Sequence, residues 1–250
     1  MTDDLYAGFA ERYDLFRGEF GQHDPEHLSF FRQLFARHQV RTVLDCACGT
    51  GQHLHLFHTL GYQVTGSDIS PSMLAQAQKN LAGSDIQVPL HQIDYRALPQ
   101  HLTTRFDAVT CLSSSLLHME DDDQVFLALR SMRAVLRRGG ILILTQGTTD
   151  WQWAEKPRFI LAANTGDFSR LFAIDYLDAG ARYNIIDIRR GGDRKELEVW
   201  SVEYPHILLH DDQKRLLRVT GFAPVEFFGS YRFEPYDKRE SRVLIAVAQK

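Results

Sequence analysis

Ile141-Leu142-Ile143-Leu144-Thr145 is apolar without alternation, the pattern of a strand buried on both faces. Such a strand needs helices above and below it, which commits the chain to a sheet inside a helical shell. The upstream sequence supplies the other parts. Val40–Cys46 is a short β-branched run ending at a small-residue loop, and Gln52–Leu60 reads as a helix closed by Gly61. Tyr62–Ser67 reads as a second strand. Ser70-Pro71 supplies a cap and a first helical residue for a helix through Leu81, ended by Gly83. Ile86–Gln92 and Phe106–Leu112 read as the third and fourth strands. Asp121–Arg138 reads as a long helix, with acids in its first turn, Arg137-Arg138 in its last, and Gly139-Gly140 as its stop. Strands alternating with helices predict βαβ units and a parallel sheet.

The rhythm changes after Gln146. Phe168–Leu177, Ala181–Arg190 and Lys195–Tyr204 have β-type composition, and Gly191-Gly192-Asp193 is a hairpin signal between the last two. Asp211–Thr220 reads as a helix, and Phe222–Tyr231 and Ser241–Ala248 as the final strands. The N-terminal region looks helical, with Leu28, Phe31, Leu34 and Phe35 on one face of a helix starting after Pro25. The expected division is a helical cap over 1–39, a core of 40–149 and 205–250, and an antiparallel β insertion over 150–204 serving as a substrate lid.

With 32 acids against 28 bases, the chain has no global basic field to attract nucleic acid or anionic lipid. No apolar run approaches a membrane span, and Met1–Glu11 does not read as a signal peptide. Cys46, Cys48 and Cys111 cannot form a disulfide framework and fit a reducing compartment, so a cytoplasmic location is expected. The expected partner is a small molecule, with homo-oligomerisation left open.

The chemistry sits in Val43-Leu44-Asp45-Cys46-Ala47-Cys48-Gly49-Thr50-Gly51. Gly49 and Gly51 stand where a strand turns into a helix, so backbone can approach a ligand closely. Asp68 follows at the end of the next strand, where a carboxylate can accept from both ribose hydroxyls. Leu54 occupies the position of the third glycine of a dinucleotide fingerprint, and Asp45 suits a cationic ligand better than a pyrophosphate. Both features favour a cationic adenosine cofactor over NAD. No phosphate-binding P-loop pattern is present either.

These segments, followed by IDYRAL with Asp94, FDAVTCLSSSLLHM and LRRGGILIL, resemble the ordered motifs of a class I S-adenosylmethionine-dependent methyltransferase over about residues 40–146. CLSSSLLHM, DWQWAEKPRF, the β insertion, YPHILL and the C-terminal GSYRFEPYD…RVLIAVAQK look like the glycine/sarcosine N-methyltransferase branch. The resemblance implies a doubly wound, mostly parallel seven-stranded sheet with an antiparallel β insertion. It implies S-adenosylmethionine as cofactor, with Asp45, Ala47, Gly49 and Gly51 at its methionine end and Asp68 on the ribose. Ile69 and Met73 would lie against the adenine, Asp94 would accept from its amino group with Tyr95 near the ring, and Leu112 and Ser113 would flank the sulfonium. Tyr13 would close over the site, and Ser114 and His118 would orient the acceptor or take its proton.

The chain departs from that branch at one place. Gly147-Thr148-Thr149-Asp150 stands where the branch carries Arg-Asn-Tyr-Asp, which argues against glycine as acceptor and leaves Arg158 or Arg182 to supply an orienting charge. The expected activity is in-line methyl transfer to a small amine or amino-acid-like nitrogen. A small-metabolite O-methyltransferase, an RNA or protein methyltransferase and a non-catalytic cofactor-binding regulator are the alternatives. The nearby histidines 53, 55 and 58 read as a solvated helix face, and Cys46 and Cys48 as small hydrophobes, so no metal is expected.

Overall fold

The computed structural model describes residues 4–16, 19–190 and 195–250. A 3-10 helix, Ala10–Phe16, leads into α1 (Pro25–Arg37), whose start is fixed by the Asp24 carboxylate accepting from the Glu26 N–H and by Pro25 in the first turn. The α1 face carrying Phe30, Phe31, Leu34 and Phe35 is wholly buried. The alternation then runs β1 (Thr42–Asp45), α2 (Gln52–Thr59), β2 (Gln63–Asp68), α3 (Pro71–Ala82), β3 (Leu90–Gln92), α4 (Leu98–His101), β4 (Phe106–Cys111), α5 (Asp122–Val135) and β5 (Leu136–Gln146). After α6 (Asp150–Glu155) come β6 (Phe159–Asn164), β7 (Phe168–Tyr176), β8 (Ala181–Arg189) and β9 (Glu196–Tyr204). The chain closes with α7 (His210–Val219), β10 (Val225–Phe228) and β11 (Leu244–Gln249).

Seven strands form one sheet in the order β10-β11-β5-β4-β1-β2-β3, parallel except where β11 pairs antiparallel with β5 and β10. Ile141, Leu142 and Ile143 are fully buried, as a strand covered on both faces requires. One apolar layer packs Leu44, Val109 and Leu142 with α5 and α7. The other packs Val43, Ala108 and Ile143 with α1 and α2. Strand order reverses between β1 and β4, and the carboxyl ends splay there into the crevice where open α/β sheets bind ligands.

Two expected boundaries are corrected. The long helix ends at Val135, and Arg137-Arg138-Gly139-Gly140 already belongs to β5, so the basic residue of the last helical turn is Arg133. The insertion has four strands instead of three, because Phe159–Asn164 adds β6 at one edge. The Gly191-Gly192-Asp193 turn lies outside the described residues, although β8 and β9 pair as the hairpin it implied. No helix among the described residues is long and apolar enough to cross a membrane.

Candidate active site

β1 delivers the chain into a loop that folds back under β2. The Cys48 N–H donates to Ser67 O, and Gly49 (φ +51) donates its N–H to Asp68 Oδ2 at 2.8 Å. Asp68 also accepts from the Ser70 N–H at 3.0 Å. Its carboxylate is thus aimed by two backbone donors at the edge of the crevice. Burial raises its pKa, with those N–H groups opposing the shift.

The crevice is a cavity of about 820 Å³. It brings together most of the residues singled out from sequence: Ala47, Gly49, Asp68, Ile69, Met73, Asp94, Tyr95, Leu112, Ser113, His118 and Tyr13 all line it. Ile69 is half exposed at the rim, and Asp94 is gripped by Arg96, whose Nε lies 2.9 Å from Oδ2.

Two residues expected on the wall are elsewhere. Gly51 caps α2 at φ +90, and a Cβ there would meet Ala77 and Leu81 of α3, so it serves loop-to-helix packing. Asp45 lies beneath the loop, fully buried. Neither of its carboxylate oxygens has a partner at hydrogen-bond geometry. Burial pushes it up to about 7, only partly offset by the nearby Thr110 hydroxyl and Ala47 N–H. A buried, under-satisfied acid below the crevice, together with the Asp68 carboxylate on its wall, fits a ligand that is cationic at one end and carries hydroxyl donors at the other.

The loop after β4 carries strain. Ser113 (φ +57) and Ser114 (φ +68) are both left-handed, a conformation that costs non-glycine residues about 1–3 kcal/mol each. β5 holds them there: the Ser113 N–H donates to Thr145 Oγ1 at 2.9 Å and the Ser114 N–H to Thr145 O at 2.8 Å. The consequence is that Ser114 and His118 do not share a wall. His118 faces the crevice, whereas Ser114 faces a second cavity of about 650 Å³. Leu116 and Leu117, between them in sequence, are core residues.

The second cavity lies under the insertion. Alternate residues of its strands (Phe172, Tyr183, Ile185, Trp200, Val202) line it, as the two-residue period of strands dictates. The two cavities have Tyr6, Tyr13 and Ser113 in common. Tyr6 was not legible in the sequence, which offers no local signal for a contact 112 residues away: its hydroxyl lies 2.9 Å from His118 Nε2. Trp200 was equally hidden, although the alternation Tyr183, Ile185, Asp187 and Trp200, Val202, Tyr204 marks one face of the hairpin. Phe9 stacks on Trp200 at 4.2 Å, with planes 2° apart.

Arg158 and Arg182 do not supply a charge to this site. Arg158 pairs with Asp175 and Arg182 with Glu203, and neither lines either of these two cavities. The insertion's inward arginine is Arg170, wholly buried and clamped on Asp187 at 2.6 and 2.7 Å. His55, expected to be solvated, is half-buried and meets His23 ring to ring. No cluster of metal-ligating residues exists among the described residues.

Residues 43–140 match the family described as a methyltransferase domain. The chain is 30% identical to a glycine/sarcosine N-methyltransferase of Halorhodospira halochloris over 100% of its own length and 90% of that protein. It is 34% identical to a dTDP-3-amino-3,6-dideoxy-alpha-D-glucopyranose N,N-dimethyltransferase of Streptomyces fradiae, over 56% of this chain and 53% of that one. An S-adenosylmethionine-dependent methyltransferase from Clostridium acetobutylicum superposes with a TM-score of 0.79 at 17% identity, covering 98% of each chain. The chain belongs to the S-adenosylmethionine-dependent methyltransferases and is a relative of the glycine/sarcosine N-methyltransferases.

Proposed function

We propose that this enzyme transfers a methyl group from S-adenosylmethionine to the nitrogen of a small-molecule amine. The observation that carries the reading is the pair of cavities meeting at Tyr6, Tyr13 and Ser113, a crevice shaped for a nucleoside and a separate chamber for an acceptor. Bound S-adenosylmethionine supplies a methyl carbon already activated on a sulfonium, so transfer is an in-line displacement.

The chain's own contribution is alignment and exclusion of water. Asp68 would hold the ribose hydroxyls, and Gly49 and Ala47 would line the methionine end. Ile69 and Met73 would flank the adenine, with Asp94 and Tyr95 beside it. Leu112 and Ser113 would set the line of attack, and Tyr13 and Tyr6 would close it over. Nitrogen is favoured over oxygen because neither Tyr6 on the shared wall nor the His118 beside it is a base of matched strength. Burial pushes His118 down to about 4 and Tyr6 well up, so neither takes a proton from a hydroxyl near neutrality. An amine can release its proton to water and attack with its lone pair. His118, expected as a weak base, then serves to hold Tyr6. Ser114 Oγ accepts from the Gly147 N–H at 3.2 Å, and in this reading it shapes the acceptor chamber.

The test is formation of S-adenosylhomocysteine with a panel of primary amines and the matching alcohols and phenols. Amines as the only acceptors supports the reading. Turnover of phenols or alcohols alone, or no turnover by protein that binds the cofactor, overturns it. Asp68→Ala, losing two charge-assisted hydrogen bonds worth about 1.5–3 kcal/mol each, should weaken cofactor binding at least tenfold by calorimetry.

A further inference from the structure

We propose that the second cavity accepts an amine carried on a flat, ring-bearing body larger than an amino acid, with an acidic group at its far end held by Arg242. The inference rests on the N-methyl-transfer reading and names its acceptor class.

Size and wall chemistry argue first. A chamber of about 650 Å³ falls in the range of whole-ligand pockets. An acceptor as small as glycine would leave most of it to water, against walls that give water few partners. Those walls are Phe9, Phe172, Tyr183 and Trp200, with Ile185 and Val202 between them. Aromatic faces of this kind favour a flat apolar body, by stacking or edge contacts beyond simple burial. Three of the polar side chains on these walls, Thr148, Gln152 and Tyr183, are already paired with one another. The Tyr183 hydroxyl meets Thr148 Oγ1 at 2.9 Å and accepts from Gln152 Nε2.

Charge argues second. Two arginines line this chamber. Arg170 is committed to Asp187 and to the carbonyl oxygens of Arg12 and Tyr13. Arg242, just before β11, has no acidic partner among the described residues. Its guanidinium lies over the Trp151 ring, with Cζ 3.0 Å from the centroid, a separation so short that an edge-on guanidinium would drive its nitrogens into the ring and only a face-on one fits. Face contact fixes the side chain while leaving its in-plane N–H fork free for a carboxylate. Arg242 lines the chamber, does not line the crevice and is exposed to solvent. An acceptor with its amine at the junction of Tyr6, Tyr13 and Ser113 and its acid at Arg242 spans the chamber. The segment after β5 carries Gly147 and Thr148, so the cation for this cavity arrives from the segment before β11 instead.

The experiment compares 4-(aminomethyl)benzoate, its neutral amide, benzylamine, glycine and sarcosine as acceptors for the enzyme. It is repeated with Arg242→Ala and Arg242→Lys, with cofactor binding followed by calorimetry throughout. The expected result is a kcat/KM for the benzoate at least tenfold above its amide and a hundredfold above glycine. In Arg242→Ala the acid-over-amide preference should collapse, mainly through KM, and Arg242→Lys should restore part of it. An acid-to-amide ratio unchanged in Arg242→Ala overturns the role of Arg242. Glycine or sarcosine as the best acceptor overturns the chamber inference while leaving N-methyl transfer standing. Protein that binds cofactor but methylates none of the ring-bearing amines also overturns it. Failure to bind S-adenosylmethionine at all strikes the underlying reading instead.

Discussion

The Tyr6 hydroxyl lies 2.9 Å from Nε2 of His118, and this contact ties the N-terminal segment to the loop that follows β4. The same segment is fastened twice more across the crevice. The Asp4 carboxylate accepts from Ser70 Oγ at 2.7 Å and from the Ser72 N–H at 3.0 Å, at the start of α3. Asp14 accepts from Thr50 Oγ1 at 2.8 Å in the glycine loop. Closure over the crevice is therefore built from separate polar ties, each open to mutation.

His118 is held neutral by burial, with a pKa near 4 against the ordinary 6.5. Between those values the unfolded chain binds a proton that the folded chain does not, so stability falls as pH drops through that window. Measured by urea unfolding, His118→Gln should lose about 2 kcal/mol less than the parent between pH 7 and pH 5. Equal losses would mean that His118 titrates normally.

Asp45 works in the opposite direction. Its folded pKa near 7 lies above the ordinary 3.8, so the folded chain binds the extra proton and stability falls as pH rises through that window. Asp45→Asn should match the parent near pH 4 and exceed it by on the order of 4 kcal/mol at pH 8. The same variant should bind the cationic cofactor more weakly at pH 8. Parallel stability curves across this range would show that Asp45 is not a buried, strained acid.

Gly49 and Gly51 separate ligand space from packing space. A Cβ on Gly49 meets nothing within 4 Å, and that residue lines the crevice. A Cβ on Gly51 meets Ala77 at 3.4 Å. Both have positive φ, so each alanine costs about 1 kcal/mol of strain. Gly49→Ala should in addition weaken cofactor binding at least tenfold. Gly51→Ala should lower Tm further and leave affinity within about threefold. Calorimetry and thermal unfolding on the two variants check this, and a swap of the two effects would reverse the assignment.

The crevice was legible because its chemistry is local: glycines at a strand-to-helix turn, then an acid one βα unit later. The same local habit misled at Gly139-Gly140, which reads as a helix stop. There the backbone is already in β5, with Gly140 packed so tightly against Asp107 O that a Cβ would sit at 2.8 Å. Phe159–Asn164 escaped notice because Leu161, Ala162 and Ala163 suit a helix as well as a strand, and pairing with β7 decides the matter. The second cavity was illegible for a different reason. Phe9, Trp200 and Arg242 come from three distant parts of the chain, and only the closed sheet order brings them to one cavity.

The last tie is the most consequential for turnover. Asp187 on β8 is almost fully buried, and two guanidiniums share it: Arg170 from β7, and Arg12 from the N-terminal 3-10 helix at 2.7 Å. Burial by itself would raise the Asp187 pKa, but the two arginines outweigh it and hold it below the ordinary range. Removing Arg170 leaves the buried carboxylate with Arg12 alone, strips the donors from the Arg12 and Tyr13 carbonyls and should cost about 3–5 kcal/mol, enough to threaten the fold. Arg12→Ala leaves Asp187 paired with Arg170, so the loss of stability should be about 1–2 kcal/mol. What it releases is the N-terminal segment, which carries Tyr6 and Tyr13 over both cavities. Amide hydrogen exchange should therefore speed up at least fivefold over residues 10–16 while the β7–β8 pairing stays protected. Cofactor dissociation, followed by stopped flow, should accelerate with it, because the segment that covers the crevice then opens more often. Exchange and dissociation rates both unchanged in Arg12→Ala would mean that the Asp4, Tyr6 and Asp14 contacts alone keep the segment closed.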